Sequence, residues 1–130
     1  MAANPYETYK QQEVLSANRG ELLLMLFDGC IKQLKLARIF IEEKSVEGAH
    51  NALVKAQAIL SKLMDDLDMS YEISASLMDL YRFFHQELTE ANIKKDSARI
   101  VPVLEMMIDL RNTWQMAIQA QRAQMTAQGR

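Results

Sequence analysis

Glu47 and His50 stand three residues apart, the spacing that puts two side chains on one helix face and that di-metal bundles use for paired ligands. A working site needs a second such pair, and His85 is preceded at that distance by Arg82. The bland reading is that Glu47 complements a helix dipole and His50 faces solvent. Cys30 lies among Leu26, Phe27 and Leu34 at helical spacing. That setting predicts a buried, protonated thiol rather than a nucleophile. No glycine-rich phosphate loop and no zinc-ligand spacing is present in the sequence, so no cofactor is expected and enzymatic chemistry has little to stand on.

Phosphotransfer is the alternative reading, since a solvent-facing histidine on a helical bundle can carry a phosphoryl group. His50 is followed by Leu53 and Lys55 but lacks the adjacent glycine of such sites, and His85 has no Lys-Gly behind it. The chain has 130 residues, 49% hydrophobic and 25% charged, which is enough for one core and too apolar for overall disorder. A net charge of -2 gives no field for nucleic acid, and the small Lys32, Lys35, Arg38 and Lys94-Lys95 groups do not supply one. No apolar run is long enough to insert in a bilayer, and the acidic, Gln-rich start is not a secretory signal. One cysteine fits a reducing, cytoplasmic setting.

Four Gly and two Pro punctuate the chain sparsely, so helices must position whatever chemistry there is. A capping box at Asn18 and Glu21 opens a first helix from about Arg19 to Lys44, with Leu23, Leu26, Phe27, Cys30, Leu34, Ala37 and Ile41 as its inward stripe. Ser45 caps a second, with Ala49, Leu53, Ala56, Leu60, Leu63 and Leu67 facing in. A third carries Ile73, Leu77, Leu80, Tyr81, Phe84, Leu88 and Ala91, and Asn92 is placed to end it. The last opens at Asp96 or Ser97 and turns Val103, Met107, Leu110, Trp114 and Ile118 inward. Pro102 predicts a kink or a one-turn break near Ala98 to Val101. Short loops force neighbours to run antiparallel. The expected architecture is an all-α, up-down-up-down four-helix bundle over residues 18–118, with an N-terminal arm (1–17) and a polar tail (119–130) that frays after Ile118.

More apolar residues are present than one bundle seam accounts for. Leu24, Ile31, Leu36, Ile39, Met64, Met78, Phe83, Met106, Ile108 and Met116 fall outside the stripes, and nine Met residues suit a surface that repacks against partners. They are either grooves for amphipathic helices or a broad core. A helical dimerisation module is a further possibility. Tyr6 and Tyr9, at i and i+3, form either a lid over a groove or a packing anchor for the arm.

Several segments in order carry a resemblance: Asn4-Pro5-Tyr6-Glu7-Thr8-Tyr9, Leu24-Met25-Leu26-Phe27-Asp28-Gly29, Lys55-Ala56-Gln57 with Ile59, Leu67-Asp68-Met69 with Tyr71-Glu72-Ile73, Leu80-Tyr81, Glu90-Ala91-Asn92 with Asp96, and Thr113-Trp114. Over residues 4–118 the chain resembles the flagellar secretion chaperone FliS family. That resemblance implies a non-enzymatic export chaperone that binds the otherwise disordered C-terminal region of flagellin, prevents premature polymerisation and assists delivery to the membrane export gate. A regulatory co-chaperone could share the surface. It also implies that Tyr6 and Tyr9 contribute to cargo control and gate docking. Combined with the apolar surplus, the expected cargo groove is Leu24, Ile31, Met64, Met78, Phe83 and Ile108.

Overall fold

The structure is a computed structural model and describes residues 19–127; the arm with Tyr6, Tyr9 and the Asn18 cap lies outside them. Four helices follow one another: α1 (Arg19–Glu42), α2 (Val46–Asp65), α3 (Glu72–Lys94) and α4 (Ser97–Ala127). They close a ring in which α1 packs on α2 and α4, and α3 packs on α2 and α4. Side-chain ties fix the directions. Arg38, late in α1, donates to Ser97 at the start of α4, whereas Arg122, late in α4, pairs with Glu21 at the start of α1. His50 near the start of α2 meets Asn92 near the end of α3 at 3.0 Å. The result is the antiparallel up-down-up-down bundle that short loops require.

Each turn has a local cause. Lys44 takes φ 60° after α1, and Ser45 then caps α2 by accepting the Gly48 N–H at 3.3 Å. The α3–α4 turn differs from expectation. The left-handed residue is Lys95 (φ 49°), not Asn92, and its backbone N–H returns to the Ala91 carbonyl. Asn92 stays helical and accepts two hydrogen bonds from the Lys95 ammonium, which helps hold that unfavourable backbone in place. Asp96 opens α4 by accepting the Ala98 N–H.

Pro102 produces no break in α4. It sits in the second turn on the exposed side, and the carbonyl it would deprive of a partner belongs to exposed Ala98, where water can serve. The tail prediction also fails: α4 continues through Ala127 with residues 119–127 exposed. Ala, Gln, Arg and Met in that stretch favour helix, and the Arg122–Glu21 pair ties it to α1. Close helix approach explains two glycines. A Cβ on Gly20 would come within 2.8 Å of the Ile118 side chain, and one on Gly48 within 2.6 Å of the Phe40 ring.

The core follows the predicted stripes along the middle of the bundle. Phe27, Cys30, Leu34, Leu53, Leu60, Tyr81, Phe84, Leu88, Val103 and Met107 are essentially inaccessible. Ile31, Ala52, Ile100 and Leu104 join them, although the stripes as read from sequence omitted all four. Ile73 departs the other way, being 65% exposed, because α2 ends at Asp65 and does not extend far enough to cover it, although Ser74 in the same turn is buried.

Candidate functional site

That uncovered end is where a site is built. The start of α1 (Leu23), the end of α2 (Leu63), the α2–α3 connection (Leu67), the start of α3 (Ile73, Leu77, Tyr81) and the later part of α4 (Trp114) converge on an apolar pocket of about 330 Å³. Asp66, Asp68, Tyr71 and Ser74 complete its wall. The α2–α3 connection forms one side of the mouth. Asp68 accepts from both the Ser70 N–H (3.0 Å) and the Ser70 hydroxyl (2.6 Å), and its carbonyl accepts the Ser74 hydroxyl (2.6 Å). These hydrogen bonds to the ionised form, the side-chain bond first, hold the Asp68 carboxyl below its ordinary range. Tyr71 and Ile73 project at the mouth, 64% and 65% exposed. Burial pushes the Tyr81 phenol at the pocket floor up to about 12, so it stays neutral at physiological pH.

The predicted groove residues do not assemble into one site. Ile31 belongs to the core, because it lies one residue past Cys30 on a helix covered on two sides. Met64 and Ile108 are half-buried and pack against the core. Met64 also borders a shallow depression with Ser61, Arg82, His85 and Gln86, while Ile31 borders another with Lys32, Lys35, Leu36 and Ile39. Leu24 and Met78 are half-buried, and Phe83 is 48% exposed beside the ring of Phe84. None of the six lines the end pocket. Its lining comes from residues at the ends of the predicted stripes, and the signal available was their position at one end of an antiparallel bundle.

Neither histidine lines the end pocket. His50 contacts Asn92, and the carbonyl of His85 accepts from Gln57, which also reaches Thr89 and so ties α2 to α3. Among the described residues no group of three or more His, Cys, Asp or Glu is placed to hold a metal. Among them, too, no helix is long and apolar enough to cross a membrane. Cys30 is enclosed, its thiol 3.8 Å from the Ala56 carbonyl, and burial pushes it up to about 12. Native protein at pH 8 should therefore resist a thiol reagent such as Ellman's, with full reaction only in denaturant; rapid native labelling would contradict this packing. Because the folded thiol keeps its proton longer than the unfolded one, the stability this group contributes is intact below about pH 8.5 and is lost as pH rises from there towards 12.

A sequence profile of the family described as Flagellar protein FliS matches residues 2–121, nearly the whole chain. The chain belongs to the FliS family. Among its relatives, the flagellar secretion chaperone FliS of Bacillus subtilis is 40% identical over 119 residues, covering 92% of this chain and 90% of the relative. That of Salmonella typhimurium is 31% identical over 107 residues, 80% of this chain and 79% of the relative. The Escherichia coli protein of the same name is 27% identical over 124 residues, covering 90% and 91%. Leu67-Asp68-Met69, Tyr71-Glu72-Ile73 and Thr113-Trp114 are three segments that the fold brings to or beside one pocket.

Proposed function

We propose that this protein is a non-enzymatic flagellar secretion chaperone that works in the cytoplasm, holds the C-terminal segment of flagellin and brings it to the membrane export gate. The observation that carries the reading is an apolar pocket fed by all four helices, with Tyr71 and Ile73 exposed at its mouth, in a chain similar to proteins named for flagellar secretion. A large apolar side chain of the cargo would anchor there. Cargo that orders on binding loses conformational entropy, so one pocket does not suffice and further contact area is needed. Leu24, Met78 and Phe83, with Ile39 and Met106, offer such area along the helices. Holding the segment occupied withholds it from polymerisation. Tyr6 and Tyr9 in the arm serve as lid and gate-docking residues in this reading.

Isothermal titration of the full chain with a peptide spanning the flagellin C-terminal region tests it. Saturable binding at one site per chain, together with delayed flagellin polymerisation at equimolar chaperone, is the expected outcome. A correctly folded protein that neither binds the segment nor delays polymerisation would overturn the reading.

A further inference from the structure

The end pocket has an apolar interior and an acidic rim. Residues 61–73 contain Asp65, Asp66, Asp68 and Glu72 against the single base Lys62, and Asp66 and Asp68 line the pocket itself. Lys62 reaches Asp66 at 3.0 Å, but this is an exposed pair one turn apart at the end of α2 and leaves the rim negative. Asp68 has its carboxylate directed by the Ser70 N–H and hydroxyl, both neutral donors. Two arginines of α4 pair with acids of α1: Arg111 holds Asp28 at 2.8 Å, and Arg122 pairs with Glu21. Inside, Leu23, Leu63, Leu77 and Trp114 offer no charge.

A ligand that satisfies both parts must be greasy where it enters and positive where it stops. We infer that the pocket selects a cationic amphipathic segment of the partner chain, with a large apolar side chain seated against Leu77 and Trp114 and a Lys or Arg one helical turn away facing Asp66 and Asp68. This rests on the chaperone reading and specifies the chemistry of its cargo. The protein's own residues 1–18 fit the rim less well, since they carry Glu7 and Glu13 against Lys10. Rim charges act mainly on register and orientation, so they decide which stretch of a long disordered cargo enters the pocket.

Trp114 is the single tryptophan and lies in the pocket wall, which makes its emission a direct reporter in the full chain. Two synthetic amphipathic helical peptides with the same Leu/Phe face, one flanked by Lys and the other by Glu, would be titrated at low salt and at about 1 M salt, where the screening length is about 3 Å. The Lys-flanked peptide should shift Trp114 emission and bind about tenfold more tightly than the Glu-flanked one. That preference should vanish in high salt, in Asp66→Asn/Asp68→Asn, and in part in Glu72→Gln, with unchanged circular dichroism. Equal affinities, or binding that leaves Trp114 silent, would overturn the inference. So would emission that follows protein concentration alone, which would mark a second copy as occupant, or emission that responds only to removal of residues 1–17. If the flagellin segment binds Asp66→Asn/Asp68→Asn as tightly as the unaltered chain, the rim inference falls while the chaperone reading stands. If the Lys preference holds but the flagellin segment does not bind, the reading and the inferred cargo fall together.

Discussion

Replacing Tyr71 and Ile73 by glutamate is expected to weaken binding of the flagellin C-terminal segment by at least about 100-fold, equivalent to about 2.7 kcal/mol, while leaving the fold intact. Both residues stand at the mouth of the end pocket with roughly two-thirds of their surface open, so the free protein has little to lose from the exchange. A bound partner would have to bury two carboxylates against Leu67, Leu77 and Trp114, and unpaired charge in such surroundings is costly. The new acids also lie at the start of α3, where negative charge is favourable to the helix. Titration calorimetry and thermal melting separate the two effects. Binding should disappear while Tm moves by no more than about 2 °C. Retained binding would move the cargo site away from the end pocket, and a collapsed melting transition would show that the pair supports the bundle.

The second large effect is on stability, and two neighbouring phenylalanines set it out. Phe84→Ala should cost about 3–5 kcal/mol, since Phe84 is wholly enclosed between helices and its removal leaves a cavity the bundle cannot close. Phe83→Ala should cost no more than about 1.5 kcal/mol, because its ring is half-exposed and its aromatic contact is a tilted pair with Phe84, centroids 6.2 Å apart. Urea denaturation of the two variants at equal m-value measures the difference. Equal losses would mean that α3 is rotated about its axis so that Phe83 and Phe84 are equally enclosed.

That contrast was legible in the sequence. A period of 3.6 residues places Phe84 with Leu77, Tyr81, Leu88 and Ala91 on one face and turns Phe83 off it, and the same reasoning located Phe27, Leu34, Leu53, Leu60 and Met107 in the core. Ser45 and Asp96 announced their helix starts, because a side-chain acceptor before a helix satisfies backbone donors whatever the rest of the fold does. Local chemistry was less reliable where two residues could do one job. Lys95 rather than Asn92 took the left-handed position, and Pro102 was absorbed because its surroundings are solvent.

The six-residue groove expected from surplus apolar positions shows the limit of periodicity. Ile31 flanks the stripe of α1, yet α1 is covered on two faces and its neighbours reach far enough round to bury it. Ile73 occupies a stripe position and is nevertheless exposed, because its stripe runs past the end of α2. Sequence alone therefore determined four antiparallel helices, the Ser45 and Asp96 helix starts and most of the mid-bundle core, since these depend on spacing within one helix and on loops too short to reverse course any other way. Tertiary structure decided where the apolar surface stays open, because side-chain spacing tells which way a residue faces around its own axis but not how far along that axis a neighbouring helix extends to cover it.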